Sequence, residues 1–389
     1  MVQGINVHRF NNMLEKPPIV LLSNVRWDAL WEYSHALATL FANAGYPTVF
    51  VETTGMRNPP LGKTTGRRVL KRLLSVRSGG KKPASLSPNL TVYSPLVVPP
   101  TYGMFRRINR RLFVPRIVRN LRRLIGTAPV VIAFAPTQTT LELVSRLEPQ
   151  LTWYHCTLNY EKISDAPADI KDTEQQLLQA AGIATVDSGF LKDKHHGVRP
   201  DMTRIEGGVD FELFRRADTG PLKSPARVLY YFGRAYEPWF DFDLAREVAG
   251  AGFTVRMLGT LSEPSFAKTP GVEFLGKVSH RALPEHLREA DALIIPYQIT
   301  PFTRGTFPAK TYESLATGKP VVATPLPDLG PLDEHVYLGN GPKEFVDILH
   351  CLHESETSEK RRTRIELARR NSWEARFARF EEILWSQLG

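Results

Sequence analysis

The chain has 389 residues, 42% apolar residues and a formal net charge of +10. This length predicts about two domains, and the composition excludes disordered chains and small scaffolds held together by disulfides. No apolar run reaches the roughly 18 residues that a membrane-spanning helix needs, and no secretory signal is visible. We therefore expect a cytosolic protein in which the two cysteines, Cys156 and Cys351, are reduced thiols without chemical roles.

Strand and helix patterns alternate along both halves of the chain. The first half shows strand patterns at Ile19–Val25, Thr48–Glu52, Leu90–Ser94, Val130–Ala135, Leu151–Cys156 and Ile183–Asp187, and a helical pattern at Trp31–Ala44. The second half shows strand patterns at Val228–Gly233, Thr254–Gly259, Val272–Leu275, Ala292–Pro296 and Pro320–Thr324, and helical patterns at Phe242–Ala251, Leu283–Ala290 and Ala309–Thr317. This alternation predicts an α/β protein with parallel sheets.

The domain boundaries follow from a polar stretch rich in glycine and proline at Arg204–Arg227. We predict an N-terminal Rossmann-like domain over 1–205, a linker over 206–227, a C-terminal Rossmann-like domain over 228–370 and a terminal amphipathic helix over 371–389. Two such halves place a cleft between them, beyond the carboxyl ends of the strands, where open α/β sheets bind ligands.

The positive charge is concentrated in residues 57–123, which contain 17 Lys and Arg residues and no Asp or Glu. Residues 67–74 and 104–125 combine arginines with apolar residues at helical spacing, and Pro115 should kink or restart the second helix. Such a helix can pack its apolar face inward while its arginines meet anionic lipid. We predict peripheral attachment to the inner face of the plasma membrane. Nucleic acid is not an expected partner, because the segment lacks an interleaved aromatic platform.

The most specific stretch is Pro301–Thr324, in which a helix begins near Lys310 and carries Glu313 one turn later. A helix start beside a glycine-punctuated loop favours phosphate, and Lys310 adds a full charge. Glu313 lies on the same helix face, where a carboxylate can accept both hydroxyls of a ribose. The alternative is an ordinary amphipathic helix with a surface Lys–Glu pair.

These residues resemble the PxKxYExLAxGKPVVAT signature of GT-B glycosyltransferases, and Glu206–Phe214 resembles their interdomain segment. The shorter matches are YFG at Tyr231–Gly233, MLG at Met257–Gly259, FLGKV at Phe274–Val278 and LxxADALIIPY at Leu287–Tyr297. The chain is most similar to teichuronic-acid-type and xanthan glucuronosyltransferase-like enzymes. The resemblance implies the GT-B fold: two Rossmann-like domains facing a central cleft, with the C-terminal helix returning to the N-terminal domain.

The resemblance also implies a nucleoside diphosphate sugar, with uridine as the expected base, bound mostly by the C-terminal half. Glu313 would hold the ribose, and Lys310 would contact the diphosphate or base region. The implied donor-binding residues are Gly233, Arg234, Gly259, Gly276, Lys277, Tyr297, Arg304, Thr306, Lys310 and Glu313. Because fixed donors can stabilise the leaving diphosphate, we expect neither a metal nor another cofactor.

Two positions depart from the family pattern. Many retaining GT-B enzymes have a glutamate eight residues before the ribose-binding one, where this chain has Gly305. Related inverting enzymes have an aspartate after the strand that corresponds to Leu151–Cys156, where this chain has Leu158 and Asn159. The candidates that could replace this aspartate as catalytic base are His155, Glu161 and Asp165. The alternative is that each of them has only a structural role. The stereochemical outcome stays open.

The loop after the first strand, SNVRWDALW, is expected to point into the cleft. Its candidate acceptor-binding residues are Asn24, Arg26, Trp27 and Asp28. Trp31 and His35 are spaced as one face of a helix, and the alternative is that they belong to the core.

Together these patterns predict an enzyme that transfers a sugar from a nucleoside diphosphate sugar to a glycan or lipid-linked acceptor in bacterial envelope or exopolysaccharide synthesis. Two alternatives remain at this point. One is a sugar-nucleotide 2-epimerase, which shares the architecture. The other is a non-catalytic, nucleotide-sugar-binding subunit of a membrane glycan complex.

Overall fold

The computed structural model describes residues 16–52, 87–98, 103–163 and 166–389. The basic stretch at 67–74 and the candidate base Asp165 lie outside these described residues. Within the described ranges, no helix combines the length and hydropathy that crossing a membrane requires.

The first sheet has seven strands in the order β3-β2-β1-β4-β5-β6-β7. Its strands are β1 Ile19–Leu22, β2 Thr48–Val51, β3 Leu90–Tyr93, β4 Val130–Ala133, β5 Leu151–Cys156, β6 Ile183–Val186 and β7 Thr203–Arg204. Its central strands are buried at every position, as expected for parallel strands covered on both faces. The predicted strands of this half are confirmed to within three residues at each end.

The second sheet has six strands in the order β10-β9-β8-β11-β12-β13. Its strands are β8 Val228–Ala235, β9 Thr254–Leu261, β10 Val272–Gly276, β11 Ala292–Ile295, β12 Val321–Ala323 and β13 Tyr337–Leu338. Neighbouring strands are parallel, so their carboxyl ends meet at one edge of the sheet. Loops that follow these strands therefore build one common surface.

Helices flank both sheets. They are α1 Tyr33–Asn43, α2 Gly103–Ile108, α3 Val114–Ile125, α4 Gln138–Leu147, α5 Ile170–Ala180, α6 Gly189–His195, α7 Phe211–Phe214, α8 Phe242–Gly250, α9 Leu283–Leu287, α10 Lys310–Ala316, α11 Pro342–Ser355, α12 Ser358–Arg370 and α13 Trp373–Leu388. The short helix α7 lies inside the stretch that the sequence predicts as linker. Asp210 explains its start, because its side chain accepts a hydrogen bond from the Leu213 backbone N–H at 3.1 Å.

The contacts divide the chain into two compact units. The first unit comprises residues 1–27 and 37–153, and the second comprises residues 28–36 and 154–389. The sequence-based domain boundaries at 205, 227 and 370 stay predictions. The second unit contains the whole six-stranded sheet together with segment 28–36.

The basic helix of the first unit is interrupted where the sequence predicts. A π-helical turn at Asn109–Phe113 separates α2 from α3, and Pro115 lies in the first turn of α3. On α3, Val114, Ile117 and Leu121 are buried against the core. The inward packing of this helix is therefore confirmed.

The terminal helix α13 begins after Ser372, whose side chain accepts a hydrogen bond from the Ala375 backbone N–H at 3.3 Å. Its buried residue Phe380 packs against Tyr33 and His155, with ring centroids 6.3 Å and 5.6 Å away. Both partners come from the first half of the sequence and belong to the second unit. The helix thus packs against residues of the predicted N-terminal domain, 1–205, and because that domain boundary stays a prediction, the return of the helix to the domain stays one as well.

Candidate functional site

Two glycines form a tight floor at the carboxyl ends of β8 and β9. The strand register places Gly233 opposite Gly259, and both have left-handed backbones, with φ of 119° and 130°. A Cβ atom on Gly259 would lie 1.9 Å from the carbonyl oxygen of Gly233, so only glycine fits there. The two strands are therefore bare backbone at this point, two residues before they end.

Lys310, the first residue of α10, places a buried ammonium group beside that floor. Its side-chain nitrogen donates to the hydroxyls of Tyr297 at 2.7 Å and Tyr231 at 3.3 Å. It also lies 4.7 Å and 4.4 Å from the centroids of these two rings. Lys310 is 8% exposed, and no carboxylate of the described residues forms an ion pair with it. The site thus holds a buried positive charge whose partners are neutral, which suits an anionic ligand.

Glu313, one turn along α10, is held by a histidine that follows β10. The Glu313 carboxylate and His280 Nε2 are 2.8 Å apart. Burial opposes protonation of His280, but the hydrogen bond and charge of Glu313, with the charge of Asp210, raise the pKa of the imidazole above its ordinary value. Glu313 is therefore a fixed carboxylate, oriented by a residue that sequence patterns did not single out.

Segment 28–36 contacts the same region. Trp31 stacks between His35 and His280, with centroid distances of 5.5 Å and 5.9 Å. The neighbouring residue Glu32 forms an ion pair with Arg234 at the end of β8. Arg234, which belongs to the implied donor-binding set, therefore contacts this segment directly. Glu313, which belongs to the same set, is linked to the segment through His280.

A side-chain hydrogen bond connects the loop after β11 to the loop after β5. The Asn159 side-chain amide donates to the Pro301 carbonyl at 3.0 Å, and its oxygen accepts from Lys194 at 2.8 Å. A Cβ atom on Gly305 would lie 2.9 Å from Cβ of Asn159. Gly305, one of the positions at which this chain departs from the family pattern, therefore lies against Asn159, which leaves little room for a side chain at 305.

The remaining donor candidates differ in exposure. Thr306 is 4% exposed, and its hydroxyl has no hydrogen-bond partner among the described residues. Arg304 and Lys277 are exposed, and Gly276 has a left-handed φ of 81° with open space where a Cβ would be. Only Thr306 of these four offers a buried polar group that a ligand hydroxyl could satisfy.

The candidate bases are placed as follows. His155 is fully buried, its Nδ1 lies 2.8 Å from the Thr185 hydroxyl, and burial lowers its pKa to about 3. That environment favours a neutral imidazole packed in the core, which is the structural alternative for this residue, and its role as a base stays a prediction. Glu161 forms ion pairs with Lys162 at 3.5 Å and Lys194 at 3.8 Å. Asp165 lies outside the described residues.

The acceptor candidates fall in both units. Trp27, in the first unit, donates its backbone N–H to Glu52 at 2.8 Å and packs edge-on against Phe50 at 4.9 Å. Arg26 and Asp28 are exposed and Asn24 is half-buried. The structure thus gives Trp27 a packing partner, and the acceptor role of the four residues stays a prediction.

The metal-free prediction overlooks an Asp-x-Asp sequence at Asp241–Asp243. Asp241 accepts a hydrogen bond from the Leu244 backbone N–H at 2.9 Å and so caps α8. Asp243 is exposed and pairs with Arg246 at 2.7 Å. The two carboxylates serve the start of a helix, and nothing in their contacts marks a metal site.

Cys156, Glu174 and His195 bring three possible metal-ligand atoms within 4.8 Å of one another in the core. Glu174 already accepts from the Tyr154 hydroxyl at 2.7 Å and pairs with Lys194 at 3.5 Å. Burial, followed by the charge of Glu174, raises the pKa of Cys156 well above its ordinary value and keeps it a thiol. The group is a hydrogen-bonded network whose charge Lys194 balances.

Sequence reasoning missed three residues of this site: Tyr231, His280 and Glu32. Tyr231 could have been found, because it lies in the YFG match and alternates into the same region as Gly233. His280 begins a short 3-10 helix after β10 and Glu32 directly precedes α1, and neither has a distinctive sequence spacing. Their positions depend on long-range packing that no local pattern encodes.

One region in the second half of the chain is similar to a known family. Residues 228–354 match the family described as Glycosyl transferases group 1. The matched range contains Arg234, Lys310 and Glu313, together with both glycines of the floor. The region of similarity therefore contains the donor-site residues described above.

The chain is 30% identical over 198 residues to a Bacillus subtilis (strain 168) protein assigned to teichuronic acid biosynthesis as glycosyltransferase TuaH, covering 46% of this chain. The chain spans about half the length of that curated relative, 50% of it. Its fold matches sucrose-phosphate synthase from Thermosynechococcus elongatus, with a TM-score of 0.67, 17% identity and coverage of 96% and 99% of the two chains. It also matches Anabaena HepE in complex with UDP, with a TM-score of 0.65, 14% identity and coverage of 96% and 100%. The chain has the GT-B fold.

Proposed function

We propose that the protein is a glycosyltransferase that uses a uridine diphosphate sugar as donor. The observation that carries this proposal is the Lys310 ammonium group, buried beside the Gly233–Gly259 floor and held only by two tyrosine hydroxyls among the described residues. A buried cation with neutral partners is costly unless a ligand supplies the negative charge. The group 1 match over 228–354 and the likeness to HepE with UDP support a nucleotide as that ligand.

The proposed binding mode uses three side chains. Glu313, oriented by His280, accepts the hydroxyls of the ribose, while Lys310 and Arg234 meet the diphosphate. As the bond between sugar and diphosphate breaks, the leaving group gains negative charge. Fixed cations placed before the reaction stabilise that charge, so we propose that these two side chains serve where a metal would otherwise be needed.

The acceptor is proposed to be a glycan or lipid-linked saccharide in bacterial envelope polysaccharide synthesis. The support is the similarity to the Bacillus subtilis protein over 198 residues. Positions 158 and 159 are leucine and asparagine, and position 305 is glycine, so none of the three can supply a carboxylate. Nucleotide binding without transfer to any acceptor would favour the binding-subunit alternative.

We further propose that the first unit attaches to an anionic membrane surface through residues 104–125. On this stretch Arg107, Arg111, Arg119 and Arg123 are exposed, and so are the apolar residues Met104 (65%) and Leu112 (49%). Basic side chains near anionic lipid add about 1 kcal/mol each. Co-sedimentation with phosphatidylglycerol vesicles should fall when these four arginines become glutamine, and unchanged sedimentation would remove this part of the proposal.

The test of the donor site is titration calorimetry with UDP. Lys310→Met removes a charged hydrogen-bond donor, so we expect UDP affinity to fall about 10- to 100-fold. Glu313→Gln should weaken binding to a similar degree. The matched control is Lys360→Met, because Lys360 also lies over a tyrosine ring, at 4.8 Å from Tyr337, but outside the site. Equal affinity in Lys310→Met and the wild type would contradict the proposal.

A further inference from the structure

Glu32 supplies a negative charge to the proposed donor site from within the chain. Its carboxylate pairs with the Arg234 guanidinium at the end of β8. The two side chains are 32% and 33% exposed, so the pair is open to competing ions from solvent. Its neighbour Trp31 stacks on His280, which in turn binds Glu313. Glu32 is therefore held close to Arg234, the proposed diphosphate contact, and to Glu313, the proposed ribose contact.

The two cations of the site, Lys310 and Arg234, differ in whether their partners are neutral or negatively charged. Lys310 has two neutral hydroxyls as hydrogen-bond partners, whereas Arg234 is already paired with a carboxylate. A guanidinium group binds carboxylate and phosphate oxygens through the same planar fork of donors. Glu32 therefore occupies the place at Arg234 that a phosphate oxygen would take.

We propose that Glu32 competes with the donor diphosphate for Arg234 and thereby sets the affinity of the site for nucleotide. A diphosphate carries more negative charge than one carboxylate, so it displaces Glu32 and takes over the guanidinium. An exposed ion pair contributes little stability, so the competition lowers nucleotide affinity by a modest factor. This inference rests on the proposed function, because it places the diphosphate at Arg234.

The competition predicts a gain of affinity, which is the opposite of what loss of an ordinary binding residue gives. In Glu32→Gln the shape of the side chain is kept and its charge is removed. We expect its Kd for UDP to be about two- to fivefold lower than that of the wild type, measured by titration calorimetry at low salt. In an Arg234→Gln background the same change should leave the Kd for UDP unaltered, since the contested cation is gone.

The matched control is Glu366→Gln, which removes a different Glu–Arg pair, to Arg370 at 2.9 Å on the surface of α12. We expect wild-type UDP affinity from this control. A Glu32→Gln protein with unchanged or weaker affinity would overturn the inference, and so would a gain that persists in the Arg234→Gln background. If the wild type binds UDP no better than Lys310→Met does, the proposed function fails instead.

Discussion

Asn159 lies against Gly305, so closely that a Cβ atom added to Gly305 would lie 2.9 Å from Cβ of Asn159. Asn159 also ties the loop after β5 to the Pro301 carbonyl through its side-chain amide at 3.0 Å. Asn159 therefore both holds the loop after β11 and limits the room for a side chain at position 305.

The first prediction concerns this contact. Gly305→Ala should lower the free energy of unfolding by about 1–3 kcal/mol, because the added methyl group overpacks a filled space. Urea denaturation measures the change. Asn159→Gly removes the opposing Cβ, so the cost of Gly305→Ala should shrink in that background. Asn159→Ala keeps its Cβ and is the matched control, in which the cost should remain. Equal costs in all three backgrounds would show that Asn159 is not the obstacle.

The second prediction concerns the glycine floor. Gly259→Ala combines a left-handed backbone with a methyl group 1.9 Å from a carbonyl oxygen, so we expect it to cost at least about 2 kcal/mol of unfolding free energy. The control is Gly252→Ala, where φ is 95° but nothing lies within 4 Å of the added carbon. That variant should cost about 1 kcal/mol, from backbone strain alone. A similar cost for both variants would mean that the close approach of β8 and β9 is relaxed.

Much of the fold was predictable because its signals are local. Buried strand runs such as Leu151–Cys156, and the interruption of the basic helix near Pro115, follow from side-chain pattern and backbone chemistry. Lys310 and Glu313 were also predictable as a pair, since one helical turn fixes their spacing. The residues that contact Lys310 and Glu313 could not be predicted from the sequence. His280 reaches Glu313 across 33 residues of sequence, so only the tertiary fold determines that contact.

The third prediction uses His155, whose pKa falls to about 3 because it is buried. The unfolded chain, with a histidine pKa of about 6.5, binds a proton that the folded protein does not, so stability falls as the pH drops below about 6.5. From pH 7 to pH 5 this residue should account for about 2 kcal/mol of lost unfolding free energy. Urea denaturation of the wild type and His155→Gln at both pH values measures it. Between pH 7 and pH 5, His155→Gln should lose about 2 kcal/mol less unfolding free energy than the wild type. Equal losses in the two proteins would contradict the burial of a neutral imidazole.

The fourth prediction has the opposite sign and uses His280, whose pKa is raised. Burial works against the protonated form, but the hydrogen bond and charge of Glu313 outweigh it. The folded state therefore holds the proton more tightly than the unfolded one. The stabilisation is complete below a pH of about 6.5 and is lost as the pH rises through the folded pKa. The difference in unfolding free energy between the wild type and His280→Gln should accordingly be largest near pH 6 and shrink towards pH 8.

Glu313→Gln separates this effect from simple packing around His280. Without the Glu313 carboxylate, burial opposes protonation of the imidazole and the smaller effect of the Asp210 charge remains, so the raised pKa should be lost. In that background His280→Gln should no longer show a cost that declines from pH 6 to pH 8. If the cost of His280→Gln is the same at both pH values in the wild-type background, the ring stack with Trp31, rather than the charge of Glu313, holds His280 in place. Protein NMR titration of the His280 ring would then show an unshifted or lowered pKa, which is how the two accounts differ most directly.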